Sequence, residues 1–320
     1  MAYGMSGHIG ISAQQSFGTA TTSWDYFPII SETLTTNIEQ LVEEGMKGVF
    51  DEGDSHAGLI SVAGDIVFEP HPIMVGHFLR GVTNVASISE VASAVYLSEF
   101  VPQNTDFDDT GALPPFTIQV YRGVGSAWQF TDSIITGLTI NITGGGIAKA
   151  TANVMSRVSS LMEKSTPAYP TGDPWLWNTA SLSIAGTANG NFENVSISIE
   201  NPIEGKNFLD TTRMYSKFKR TGYRQIRMTG TMDFESQTQY GIFRAQTEQR
   251  FLVGLTGSSL ITSANALVLD LPKLRYTSYP VNIGGPGPIS VGFEGHAKTD
   301  SSSSYAFRAT LTNTRATLAN

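Results

Sequence analysis

The sequence predicts a mainly β protein of two tandem β-sandwich or barrel domains, each with one short flanking α-helix. Three observations carry this. Apolar and polar residues alternate with period two along several stretches, the signature of strands with one face buried. Glycine, at 32 of 320 residues, joins Ser, Thr and Asn in breaking the chain between those stretches. Charged residues make up only 15%, too few for long solvent-exposed helices or a coiled coil. With 40% hydrophobic and 10% aromatic residues the chain can build cores, which argues against wholesale disorder.

Taken in order, residues 61–69 set Val62, Ile66 and Phe68 on one face and Asp65, Val67 and Glu69 on the other. A helix is expected over 72–82, opened by Pro72 in its first turn and gathering Ile73, Met74, Val75, Phe78, Leu79 and Val82. A weaker helical pattern covers 85–97. Strands are expected at 116–121 and at 137–143, where Leu138, Ile140 and Ile142 share a face. Residues 193–200 place Val195, Ile197 and Ile199 opposite Ser196, Ser198 and Glu200. A second helix is read over 240–255 from Ile242, Phe243, Phe251, Leu252 and Leu255, and a last strand over 305–311. Turns fall at Gly144-Gly145-Gly146, Ala188-Asn189-Gly190-Asn191 and 284–288.

The two halves read as copies of one unit, 1–165 and 166–320. Thr36-Asn37-Ile38-Glu39 answers Asn201-Pro202-Ile203-Glu204, and Gly64-Asp65-Ile66-Val67-Phe68-Glu69 answers Gly230-Thr231-Met232-Asp233-Phe234-Glu235. The alternation stays in phase across these matches, and Ile140-Asn141-Ile142 later answers Val281-Asn282-Ile283. The joint is expected within 165–174, which holds Pro167, Pro170, Gly172 and Pro174.

Chemistry is thin by comparison. The chain has no cysteine, which removes thiol nucleophiles, disulfides and Cys-ligated metals. His8, His56, His71, His77 and His296 form no metal-binding spacing. Asp106-Phe107-Asp108-Asp109-Thr110-Gly111 echoes the start of a calcium loop but lacks its closing Glu. No nucleophile elbow or phosphate loop is present, so no enzyme and no cofactor is expected. No apolar run approaches a membrane-spanning length, and the N-terminus lacks a basic start and an apolar signal core. The net charge of −8 argues against a nucleic-acid-binding surface.

Ser16-Phe17-Gly18-Thr19-Ala20, followed by Tyr26-Phe27-Pro28-Ile29-Ile30-Ser31-Glu32-Thr33-Leu34, then a glycine-punctuated loop, Gly64-Asp65-Ile66-Val67-Phe68-Glu69-Pro70 and the helix from Pro72, resembles a phage tail tube (major tail) protein. The resemblance continues through 116–122, 134–142 and 150–153. It implies a β-sandwich or barrel whose inner strands join between subunits into a β-lined ring, in a siphovirus-like tail or the tube of a related contractile device. Rings stack into a conduit through which the genome is delivered into the host cell. Such a protein is made in the host cytoplasm and resides in the virion tail. Its partners would be further copies of itself, the tape measure protein, the tail terminator and tail-tip proteins, with DNA passing unbound. Single-domain members form hexameric rings; a tandem duplication implies trimers with pseudo-sixfold symmetry.

On that reading a bore should repel phosphates rather than bind them. Asp65, Glu69, Glu200, Asp233 and Glu235 lie opposite the apolar stripes and are candidates for the lumen, with external solvent as the alternative. Charge is also split, net −11 over 1–165 and +3 over 166–320. One loop, 43–56, carries Glu43, Glu44, Asp51, Glu52 and Asp54; its counterpart, 210–227, carries Arg213, Lys217, Lys219, Arg220, Arg224 and Arg227. Opposite charge on equivalent loops predicts contact between subunits or between rings. The alternative from another class is a carbohydrate-binding β-sandwich, for which Trp24, Trp128, Trp175 and Trp177 would be the stacking platform. The segment through Ser23 and the 84–115 insertion are expected to be mobile until assembly.

Overall fold

The computed structural model describes residues 3–48, 50–260 and 263–318. The first half contains β1 (His8–Ala13), β2 (Asp25–Phe27), β3 (Ile29–Glu32), β4 (Thr35–Val42), β5 (Ser55–Phe68), β6 (Ser87–Ala92), β7 (Val95–Phe100), β8 (Phe116–Tyr121), β9 (Ala127–Thr143), β10 (Lys149–Ser156) and β11 (Val158–Met162). The second contains β12 (Ala180–Ile184), β13 (Thr187–Ala188), β14 (Phe192–Glu200), β15 (Ile203–Lys206), β16 (Lys217–Arg220), β17 (Gln225–Asp233), β18 (Gln249–Ser259), β19 (Ala264–Ser278), β20 (Ser290–Ala297) and β21 (Arg308–Asn313). Two α-helices are present among the described residues, α1 (Val75–Thr83) and α2 (Thr238–Ala245). The mainly β class with short helices is as the alternation predicts.

Two long strands organise the molecule. The N-terminal part of β9 pairs with β8 and β11, and its C-terminal part with β10 and β14. The N-terminal part of β19 lies between β18 and β21, and its last residues turn to β20. Each strand thus passes from one layer of a sandwich to the other, and both carry β-bulges along the way. The sheet that results runs β4–β5–β10–β9–β14–β17–β20–β19 across both halves. One apolar cluster under it holds residues of both halves, from Ile66, Phe78 and Leu138 to Ile197, Met228 and Phe293.

Helix α1 packs on this core because its apolar residues fall on one face and Phe78 stacks on Phe68 with centroids 4.2 Å apart. It ends at Asn84, whose φ of 69° puts the left-handed cap where Asn is tolerated. The tail after β21 closes over α1. The Asn313 side chain donates to the Pro72 carbonyl at 2.8 Å, and Arg80 donates to the Leu318 carbonyl at 3.0 Å. Beneath the tail, buried His77 meets Asp25 at 2.8 Å. Burial lowers the His77 pKa. Burial alone would raise Asp25, but hydrogen bonds from His77 and Arg315 overcome it and bring its carboxyl down to about 2.

Four local expectations are corrected. The helix read over 240–255 stops at Ala245, where Gln246 turns left-handed at φ 54°, and 249–259 is strand β18. There Phe251, Val253 and Leu255 are buried while Leu252 and Gly254 are not, so the operative period was two. The helical pattern at 85–97 is a hairpin, β6 and β7, turned at Ala94 with φ 56°. That hairpin pairs with β21, so the insertion expected to be mobile is tied to the second half. Residues His8–Ala13, also expected to be mobile, form a wholly buried strand between β2 and β8.

Candidate functional site

The face of the long sheet turned away from the core is a continuous polar surface. Its construction follows from period two: once Ile66, Leu138, Ile197 and Met228 are buried, their neighbours must point outward. Registers align these neighbours into rows across five or more strands. Asp65, Asn153, Gly137, Glu200 and Gln225 form one row. Val67, Thr151, Thr139, Ser198, Arg227 and His296 form the next, and Lys149, Asn141, Ser196, Thr229 and Glu294 the third. Hydroxyls and amides dominate, and Asn153 donates to Asp65 at 2.7 Å.

Of the five acids read from the sequence, Asp65, Glu200 and Asp233 are exposed strand residues of this sheet. Glu69 follows directly on β5 and is half-buried; Glu235 lies two residues past β17 and accepts a hydrogen bond from Asn191. The sequence reading missed that the same face carries Lys149, Arg227, His296 and Glu294, with Arg227 and Glu294 3.7 Å apart. Their signal was present, since 149, 151 and 153 alternate with buried Ala150, Ala152 and Val154.

The charged loops separate into parts with different roles. The acidic loop between β4 and β5 is solvent-exposed: Glu43 holds Lys47 and His56, while Glu44, Asp51, Glu52 and Asp54 are exposed. Its tip presents Met46 and Phe50 fully to solvent. On the basic side, Lys217, Lys219 and Arg220 lie on β16, Arg227 on β17, and Arg213 in the loop before them. Several of these touch the first half of the same chain. Arg220 approaches Asp106 at 3.9 Å, Lys219 donates to the Asp109 carbonyl at 3.4 Å, and Arg224 donates to the Gln103 carbonyl at 2.7 Å. Arg220 and Arg224 also both donate to the Asn201 side-chain Oδ1, at 2.8 and 3.0 Å. Burial beside Arg220 lowers Arg224 to about 10, which leaves it charged at neutral pH. Among the described residues no ion pair joins the acidic loop to the basic set.

The joint between halves has two components. Strand β14 pairs with β9 over seven positions, from Asn194 opposite Thr143 to Glu200 opposite Gly137. Beyond it the ribbon of β15 and β16 lies on the first half, where Ile203 and Phe218 pack with Ala112, Leu113 and Ile134. The Phe218 amide donates to the Thr110 carbonyl at 2.8 Å.

The residues considered for other chemistry have structural employment. Asp108 accepts from the Thr110 and Gly111 amides at 2.7 and 2.9 Å, an Asx-type turn. Trp175 is buried, Trp128 is covered by Arg122 at 4.7 Å, and Trp24 packs against Gly10. Trp177, 49% exposed, is the most exposed of the four, so they form no shared stacking surface.

No helix among the described residues is long and apolar enough to cross a membrane. No curated protein matches the chain. A family model described as phage tail tube protein matches residues 4–309. The chain therefore belongs to the phage tail tube protein family, whose members are structural, non-enzymatic components of the virion tail that self-assemble into a tube.

Proposed function

We propose that the chain is a tandem tail tube subunit, that three copies close into a ring of pseudo-sixfold symmetry, and that stacked rings form the conduit for genome delivery into the host cell. The observation that carries this is the β9–β14 joint, where two β units already share one sheet edge to edge within a single chain.

Three parallels support a duplicated unit. The first is order. Strand β5, helix α1 and strands β8 to β11 succeed one another as do β17, α2 and β18 to β21, with β5–β10–β9 mirrored by β17–β20–β19. The second is backbone packing. A Cβ on Gly64 would stand 2.4 Å from the Thr33 carbonyl oxygen, in the gap between β3 and β4, and one on Gly230 would stand 2.5 Å from that of Asn194, at the bulge of β14. The third is a buried acid at the bend of each long strand. Asp132 meets Arg157 at 3.3 Å, and Asp270 meets Arg308 at 3.4 Å.

In such a ring the polar sheet face lines the bore. Hydroxyls and amides there offer no cation cluster for counterion release, and Asp65, Glu200 and Asp233 repel the duplex. Arg227 is neutralised by its neighbour Glu294. The tape measure, terminator and tail-tip proteins would meet the ends or the interior of this tube, and synthesis would take place in the host cytoplasm. Mass-resolved sizing of concentrated protein with negative-stain microscopy tests the reading. Rings or tubes with three chains per ring are the expected result. Six chains per ring would retain the tube and remove the duplication, and glycan binding by a permanent monomer would overturn both.

A further inference from the structure

The chain contains one completed joint between β units and the two unmated sides of a second. In the completed joint, β9 has β10 on one side and β14 on the other, and the pair Leu138 and Ile199 closes the apolar face. The corresponding part of β19 has β20 on one side, but its pairing with β18 ends at Leu274. Past it, Val281 rests partly on the core and Ile283 is 82% exposed. At the opposite end of the same sheet, β4 pairs with β5 alone among the described residues and is exposed along its whole length. Its outward edge leaves Ile38 and Leu41 half exposed, at 50% and 52%. Unpaired edges carrying apolar residues are templates for a further strand.

We infer that residues 279–283 of one copy add, antiparallel, to the free edge of β4 in the next copy, with Val281 beside Ile38. The inference rests on the ring reading above and specifies its seam. The register follows from the two halves. Ile66, Ala152, Leu138 and Ile199 stand in one row of the completed joint. Met232 stands opposite Val291, and continuing the register from Ser278 opposite Glu294 brings Val281 to the place of Leu138, two residues from the Ile140 that the sequence match gave it. On the other side, Ile199 faces Ile226 as Ile38 faces Ile60, so by strand pairing Ile38 takes the place of Ile199, four residues before the Ile203 that the sequence match gave it. The ribbon completes the comparison. Ribbon β15–β16 lies on the first half, whereas β4 is exposed along its whole length; the start of β5 is held from its other edge, where the Ile60 amide donates to the Arg213 carbonyl at 2.7 Å, so the β4 side has the second half of a neighbour to rest on.

Because the chain has no cysteine, Ile38→Cys combined with Val281→Cys provides a direct test in the full-length protein. Concentrated under reducing conditions and then oxidised, the double variant should give a disulfide ladder ending at three chains, while each single variant goes no further than two. Ile283→Lys should abolish rings without changing the melting temperature of the single chain, because the residue is exposed there. Normal tubes from Ile283→Lys, with no linkage in the double variant, would overturn the seam and leave the tube reading standing. Chains that remain single at every concentration and never link would overturn both.

Discussion

Gly64 and Gly230 show how a single residue ties the sequence pattern to the sheet. Each was read as the start of a matching six-residue stretch, and each lies where a neighbouring carbonyl oxygen leaves no room for a Cβ. Gly64 lies against the gap between β3 and β4 and Gly230 beside the bulge of β14, so each glycine lets the backbones approach where the partner strand is interrupted. Gly64→Ala and Gly230→Ala should each lower stability by about 1–3 kcal/mol through forced backbone shifts. Gly284→Ala, where nothing lies within 4 Å, should stay within about 0.5 kcal/mol. Denaturant midpoints of the three variants check this, and equal losses at all three positions would contradict it. Asp270 marks the limit of sequence reading at this scale. Nothing local announces that it will be buried beneath Arg250, Tyr305 and Arg308, because those partners come from 20 to 38 residues away.

Among elements, the charged loops were legible as opposites but not as separate structures. Arg220 and Arg224 anchor the second half to the first through Asn201, Asp106 and the Gln103 carbonyl, so reversing their charge attacks the fold. Arg213 is exposed and Lys217 half-exposed, which makes them the pair suited to testing assembly. The double variant Arg213→Glu with Lys217→Glu should melt as the parent does. Its assembly threshold at low salt should rise about tenfold, given that exposed pairs contribute about 0–1 kcal/mol each. Screening at about 1 M salt should close that gap, and a threshold indifferent to both substitution and salt would remove the electrostatic role. The helices teach a related lesson. Residues 251, 252 and 255 satisfy a helical spacing as well as a strand does, and only pairing with β12 and β19 decides for the strand. Likewise the 85–97 stretch becomes a hairpin because β21, more than 200 residues later, offers it an edge.

For the whole molecule, the two halves share a sheet and a core as well as a linker. The β9–β14 ladder, the β7–β21 ladder and the tail clasping α1 all cross between them. Unfolding should therefore be a single transition by calorimetry and by circular dichroism, and neither 1–165 nor 166–320 should fold alone to the parent's stability. Two resolved transitions, or a stable isolated half, would show that the joint is weaker than its seven paired positions imply. What the sequence by itself determined is the β class, the phase of the strands whose alternation it showed and hence which of their residues face away from the core, since alternation is a local property of the backbone. Asp65, Glu200 and Asp233 could be placed on the outward side from that phase alone. Which strands become neighbours was left to the tertiary structure, because an antiparallel ladder is made between backbone groups common to nearly every residue. Only the assembled fold shows that β14 occupies the edge of β9, that Lys149 and Arg227 share the face with the acids, and that β4 has one edge without a partner strand among the described residues.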